Sequence, residues 1–310
     1  MSDSPNTSEK IVGIEAGSTS FRAVCLDREG NLIVSHKTRV DRSKEVFPQL
    51  TEFIGNIKEL FGGFDRVGIA VPGLINRESK RIAYSAHIPE HAGIDLLSDI
   101  SSQTGLKVTM ENDANAAAYA EFKMGAGRGT RNMFYVTLGS GVGGAFIFDG
   151  KIWHGTSGFA GEFGYVAINS EGMRLEDVAS GANIVRRTRS RFHQDSTSSL
   201  NKLEEEQITL VDIVREAQNH DDFARMMLER TGVFVGTAVA GVINLLNIEK
   251  VVVGGEIMQA GNVVLGGIIG RAKELSFTPS FETTEIVEGA LGENAAAIGA
   301  ALLSQDAESS

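Results

Sequence analysis

The feature that most constrains this chain is a strand, a small-residue turn and a second strand, present twice about 125 residues apart. In the first copy Ile11–Glu15 is apolar, Ala16-Gly17-Ser18-Thr19-Ser20 is a turn, and Phe21–Leu26 reads as a strand. Arg28-Glu29-Gly30-Asn31 then turns into Leu32–His36. In the second copy Met133–Leu138 leads through the glycine turn Gly139–Gly144 into Ala145–Phe148, and Asp149-Gly150 turns the chain into Lys151–Trp153. A repeat of this kind predicts a duplicated α/β lobe with a ligand between the copies. The division expected is 1–115 plus 295–310 as the N-terminal lobe and 116–294 as the C-terminal lobe.

The remaining pattern fits that frame. Gln49–Leu60 and Asp95–Thr104 have helical spacing, and Val67–Val71 reads as a buried strand ending in Pro72-Gly73. Lys107–Met110 is a strand running into a helix over Ala114–Lys123. Val211–Gln218 and Asp222–Leu246 are helical, Val251–Val253 is a strand, and Asn294–Leu303 closes the chain as a small-residue helix before a tail expected to fray. Gly181–Glu206, charged and rich in serine, reads as a surface excursion.

Composition removes several function classes. With 42% hydrophobic and 22% charged residues in 310, the chain is an ordinary globular protein. A net charge of −11 lacks the footprint of a nucleic-acid binder. Such a chain can still hold a polyanion such as ATP if backbone N–H groups and Mg²⁺ do the neutralising. The single cysteine, Cys25, excludes an intramolecular disulfide and a multi-cysteine metal site. Met1–Lys10 is polar, so no signal peptide is expected and the cytoplasm is the expected compartment. Thr231–Ile248 is uncharged and contains Gly232-x-x-x-Gly236, a pattern found in membrane helix pairs. Its Thr231, Thr237, Asn244 and Asn247 favour a buried helix instead.

Of the 36 glycines, twelve lie between Gly125 and Gly164, where a backbone must turn sharply or approach a ligand. Gly139-Ser140-Gly141-Val142-Gly143-Gly144 satisfies the dinucleotide spacing G-x-G-x-x-G. That fingerprint needs a helix after the glycines, and here a strand and a turn follow, which argues against a nicotinamide site. A strand–glycine-turn–strand can instead offer consecutive N–H groups to phosphate, and Gly17-Ser18-Thr19 offers the same with two hydroxyls. Either turn alone could be an ordinary hairpin. Glu15, just before the first turn, is placed to hold Mg²⁺ directly or through water.

Glu111-Asn112-Asp113-Ala114-Asn115 lies where a strand ends and a helix begins, the edge at which α/β sheets gather ligands. An Asp at a helix N-terminus stays ionised and can accept a hydroxyl proton, or it can simply cap the helix.

Met110–Gly127 (MENDANAAAYAEFKMGAG) together with Phe134–Gly150 resembles the ROK family of sugar kinases and sugar-responsive repressors. The likeness extends to Gly13–Thr19, Val71–Leu74, Phe159–Gly164, Glu176–Gly181, Val251–Glu256 and Leu291–Ala301. It implies an actin-like ATPase (ribonuclease H-like) two-lobe α/β fold, a homodimer, and ATP-dependent transfer to a sugar 6-hydroxyl. It further implies Asp113 as the catalytic base, and Asn112, Glu162, Glu176 and Gly73 beside the sugar. Gly17, Ser18, Thr19, Gly139, Ser140 and Gly141 fall on the phosphates, and Gly254 and Gly255 on the adenosine side. Glu162 and Glu176 could otherwise be an ordinary loop carboxylate and an early helical Glu.

Departures from the family pattern are as informative. The family His three residues after its Glu is Tyr165 here, and Asn169–Leu175 lacks the family's cysteines. No structural zinc is expected, and Tyr165 alters the sugar pocket. The family's Asp-x-Gly-Gly-Thr-Lys is Glu15-Ala16-Gly17-Ser18-Thr19-Ser20, which loses a lysine that Arg22 could replace from the same strand face. His87 stands where relatives carry an Asn. The resemblance makes glucose the first substrate expected, and these departures keep an N-acetylhexosamine, allose or fructose as alternatives. A sugar-binding sensor with degraded catalysis is the alternative of another class. A repressor is disfavoured because only Met1–Lys10 precede the first strand.

Overall fold

The computed structural model describes residues 10–85, 88 and 92–307. His87, residues 1–9 and residues 308–310 of the tail lie outside the described residues.

Two compact units emerge. The first takes the chain up to Arg128, Ile152–Ala160, and the chain from Glu293 on; the second takes Gly129–Lys151 and Gly161–Gly292. The first runs β1 (Ile11–Ala16), β2 (Ser20–Leu26), β3 (Leu32–Arg39), α1 (Val46–Leu60) and β4 (Arg66–Val71). Short β5 (Leu74–Ile75) and β6 (Ile82–Tyr84) follow, then α2 (Leu96–Thr104), β7 (Lys107–Asn112) and α3 (Asp113–Lys123). The sheet order is β3-β2-β1-β4-β7, with β1 antiparallel to β2 and parallel to β4. Helix α1 covers the sheet because Leu50, Phe53, Ile54 and Ile57 recur at helical spacing and are all buried.

The second unit repeats the scheme. It contains β8 (Met133–Leu138), β9 (Val142–Phe148), β10 (Lys151–Trp153), α4 (Glu176–Ala179), α5 (Gly181–Arg189), α6 (Leu210–Gln218) and α7 (Asp222–Leu246). After these come β11 (Lys250–Gly254), α8 (Asn262–Leu275), α9 (Thr278–Glu282) and β12 (Glu285–Glu288). The order β10-β9-β8-β11-β12 reproduces the first sheet strand for strand, again with the central strand antiparallel to the hairpin partner and parallel to the next. The repeat read from two hairpins is thus a repeat of whole sheets.

Two local readings change and a third holds. Strand β9 starts at Val142, so the glycine turn is confined to Gly139–Gly141, and Gly143 and Gly144 already pair with Thr137 and Val136. The Gly181–Glu206 excursion is anchored to the core by Ile184, Phe192 and Leu200, all fully buried. Helix α7 is long and apolar enough to cross a membrane, but Gly232 and Gly236 lie against the backbone of Val264 and Ile268 on α8. The small-xxx-small pattern here is a helix contact inside the unit.

Helix α10 (Ala295–Asp306) returns to the first unit and packs on β1, β4 and α3. Contact is backbone to backbone. A Cβ on Gly13 would lie 2.0 Å from the Ala297 carbonyl oxygen, and one on Gly68 would lie 1.8 Å from that of Ala300. On α10 itself, a Cβ on Gly299 would lie 1.7 Å from the Ala116 oxygen of α3. The run of alanines in α10 is therefore a steric requirement of its three neighbours. The same packing places all of α3 in the first unit.

Candidate active site

Strand β7 ends and α3 begins at Asn112-Asp113, and the residue that caps the helix is Asn112. Its Oδ1 accepts the Asn115 N–H at 3.1 Å, while its Nδ2 donates to the Gly73 carbonyl at 3.1 Å. Asp113 occupies the first helical position, with Oδ1 accepting the Ala114 N–H at 2.8 Å. The capping role that Asp113 could have filled is taken by its neighbour, and the helix N-terminus favours its ionised form. Gly73 and Asn112, both expected beside the sugar, are in direct contact.

Glu111 precedes them and organises the junction. Its Oε1 accepts the Asn112 N–H at 2.9 Å and Asn115 Nδ2 at 3.0 Å. Its Oε2 lies 2.8 Å from His154 Nε2. Burial pushes this carboxyl up, but the hydrogen bonds from His154, Asn115 and Asn112 outweigh it and hold the group below its ordinary value. Sequence reasoning missed both the role of Glu111 and its partner, which is 43 residues away.

The Gly17-Ser18-Thr19 turn, expected on the phosphates, is a β1–β2 hairpin closed by the Gly17 N–H on the Ser20 carbonyl at 3.1 Å. Glu15, Arg22 and Lys37 are registered neighbours across β1, β2 and β3, and Glu293 bonds both Arg22 and Lys37. Arg22 is also 3.8 Å from Glu15. These ion pairs occupy the residue suggested as a replacement for the missing lysine. Arg42, which sequence reasoning did not single out, touches the turn itself, with Nε 3.4 Å from the Ser18 carbonyl.

Burial, followed by the negative charge of Asp113, pushes the Glu15 carboxyl up from 4.5 to about 7. Arg22 and Lys37 oppose the rise without cancelling it. Burial and the Asp113 charge thus leave Glu15 with a raised carboxyl, and Mg²⁺ suits such a group because it takes one or two carboxylates and keeps several waters. This charge balance has a measurable consequence. Below pH 4.5 the folded and unfolded states both carry a protonated Glu15; between 4.5 and 7 the folded state binds more proton, so stability falls as pH rises through that window. Solvent reaches a third of the side chain and screens the effect to about 1 kcal/mol. Glu15→Gln is expected to raise the melting temperature by about 2–4 °C at pH 8 without Mg²⁺ and to leave it unchanged at pH 4. A difference that does not vary with pH would disprove the raised Glu15 carboxyl.

In the second unit the glycine turn is braced from below. Glu176 Oε2 accepts the Val142 N–H at 3.0 Å, and the Gly181 N–H donates to the Gly139 carbonyl at 2.8 Å. Glu176, expected on the sugar, therefore supports the glycine turn. Gly254 ends β11 opposite Thr137 of β8. Gly255, at φ +97°, is so close that a Cβ would lie 2.4 Å from the Leu138 carbonyl oxygen. The two glycine sites expected around the nucleotide, Gly139–Gly141 with Ser140 and Gly254-Gly255, thus share the carboxyl ends of adjacent parallel strands.

Glu162 precedes and Tyr165 ends a short 3-10 turn at Phe163–Tyr165, joined by the Tyr165 N–H on the Glu162 carbonyl at 3.1 Å. Tyr165 is 53% exposed, and the Arg174 guanidinium stacks 4.4 Å from its ring centre. Residues 166–175 form their own hairpin, with Ala167 bridged to Arg174 and Asn169 Oδ1 accepting the Met173 N–H at 2.9 Å. Among the described residues no group of three His, Cys, Asp or Glu could hold a metal.

Two sheets of one topology, each with a glycine hairpin beside its central strand, define an actin-like ATPase, the ribonuclease H-like two-lobe fold. Within that class the chain belongs to the ROK family, which it matches over residues 11–307. It is 33% identical to a glucokinase of Thermotoga maritima over 94% of this chain and 96% of that one. The crystal structure of a ROK family glucokinase from Streptomyces griseus, in complex with glucose and AMPPNP, superposes with a TM-score of 0.87 at 25% identity, covering 96% of this chain and 99% of that one. A xylose repressor of Bacillus subtilis is 25% identical over 93% of this chain but only 75% of its own.

Proposed function

We propose that this ATP-dependent sugar kinase phosphorylates a hexose at its 6-hydroxyl, with glucose as the substrate. The observation that carries the reading is the β7–α3 junction at the carboxyl end of a sheet strand, where Asn112 caps the helix and Asp113 holds its first position. The glucokinases among the relatives support glucose.

In this reading Asp113 accepts the proton of the sugar hydroxyl as the γ-phosphoryl group moves to its oxygen. Asn112, Glu162, Glu176 and Tyr165 bind the sugar hydroxyls, and Gly73 fixes Asn112 through its carbonyl. The turns at Gly17-Ser18-Thr19 and Gly139-Ser140-Gly141 hold the phosphates with backbone N–H groups, and Gly254-Gly255 receives the adenosine. When bound, Mg²⁺ neutralises phosphate charge, and Glu15 would hold it directly or through water. Positioning and charge neutralisation supply most of the rate. A cytoplasmic homodimer is the working form we infer, with the second unit forming the dimer contact.

The test is sugar-dependent ADP release with MgATP over glucose, mannose, fructose, allose, N-acetylglucosamine and N-acetylmannosamine. Glucose is expected to give the highest kcat/KM. A higher value with another sugar would replace glucose, and no release with any of them would overturn the kinase reading.

A further inference from the structure

One group near the junction has no task in the scheme above. His154 lies in Ile152–Ala160, the piece of chain that leaves the second unit after Lys151, joins the first, and then runs into Gly161 and Glu162. It is held there at two points. At Gly158, φ +97°, a Cβ would lie 2.3 Å from the Ile75 carbonyl oxygen, so the segment rests directly on the β5 backbone. At His154 both ring nitrogens are engaged, Nδ1 at 2.9 Å from Arg77 Nη1 and Nε2 at 2.8 Å from Glu111 Oε2.

These contacts fix the proton. Arginine only donates, so Nδ1 must accept; an ionised carboxylate only accepts, so Nε2 must carry the hydrogen. Both bonds are made together only by the neutral Nε2–H tautomer. The His154 and Glu111 side chains are 16% and 17% exposed, which sets the pair apart from a surface ion pair. The opposite oxygen of Glu111 holds the Asn112 N–H and the Asn115 side chain, and Asn115 donates its own N–H to Asn112. A continuous path of hydrogen bonds thus runs from Arg77 through His154 and Glu111 to the residues on both sides of Asp113.

We propose that His154 is a positioning residue for phosphoryl transfer: through Glu111 it sets where the β7–α3 junction presents Asp113. The proposal rests on the reading of Asp113 as the base. It gives the loop before Glu162 a second task, because the segment that leads to one expected sugar ligand also steadies the group that deprotonates the sugar. Displacement of a catalytic group by about 1 Å costs on the order of 100-fold in rate, so a lost brace is visible in kcat.

The experiment compares His154→Ala with His154→Gln, whose amide nitrogen can stand in for Nε2 as a donor to Glu111. In the alanine variant kcat is expected to fall about 10- to 100-fold, with the KM for MgATP within about twofold of wild type. Amide exchange at Asn112 and Asn115 is expected to quicken about tenfold in that variant. Glutamine should restore kcat and exchange to within about threefold of wild type. Wild-type kcat and exchange in His154→Ala would overturn the proposal. So would a raised sugar KM at undiminished kcat, which would make His154 a sugar ligand, or a glutamine variant no better than alanine. Should the wild-type protein phosphorylate none of the sugars, the kinase reading fails on its own, and exchange at Asn112 and Asn115 still decides whether His154 braces the junction.

Discussion

Asp113→Asn is expected to lower kcat by about 10²- to 10⁴-fold, the range that a positioned general base contributes. The substitution isolates chemistry from structure. Asparagine keeps an Oδ1 to accept the Ala114 N–H, and the helix cap belongs to Asn112, so the β7–α3 junction should persist. The melting temperature and the KM for MgATP should therefore stay close to wild type while turnover is lost. Removing the Asp113 charge should also lower the raised pKa of Glu15, which depends partly on that charge. Sugar-dependent ADP release and thermal melting measured on one preparation test all of this. Turnover within tenfold of wild type would remove Asp113 from the role of base.

The largest expected effect on stability is at Gly299. Its methyl group would have to occupy space 1.7 Å from the Ala116 oxygen and 2.4 Å from the Ala116 carbonyl carbon, both backbone atoms of α3. No side-chain rotation relieves such a contact, so α10 or α3 must move. Gly299→Ala should cost about 3 kcal/mol or more, at the upper end of overpacking, and lower the melting temperature by about 6–12 °C. Gly270→Ala on α8 is the control, because a Cβ there meets nothing within 4 Å. It should be neutral or stabilising by up to about 1 kcal/mol, since alanine is the better helix former. Equal effects at the two sites would show that propensity, and not the backbone contact, governs.

How far the sequence could be read depended on where the information lay. The duplicated hairpins were legible because each strand is a short apolar run closed by small residues, and α7 was legible at both ends. Helix α8 was not. Gly266, Gly267 and Gly270 interrupt it and lower its propensity, and it is helical because glycine lets it lie on the backbone of α7. Strand β12 is four residues with only Ile286 and Val287 apolar, and its pairing with β11 supplies the rest. The excursion over 181–206 misled because its charges outnumber the three apolar anchors that fix it.

At the site, Asn112 and Asp113 were adjacent in one motif, so their chemistry could be weighed together; which of the two caps the helix could not be. Arg22 lies on the expected strand face, yet its charge is drawn off by Glu293, a residue distant in sequence. His154 sits in a stretch of turn-forming residues, His154-Gly155-Thr156-Ser157-Gly158, with no periodicity to aim its ring at Glu111. Pairings across that distance are written in the topology.

The return of α10 to β1, β4 and α3 imposes an order on synthesis. A ribosome emits the first sheet early, but the helix that covers Gly13 and Gly68 follows some 280 residues after β1. At roughly 5–20 residues per second that interval is about 15–60 s. The second unit, whose last strand precedes α10, can close within that time. The nascent first sheet meanwhile carries bare glycine surfaces on two central strands, so the half of the chain made first is the half finished last.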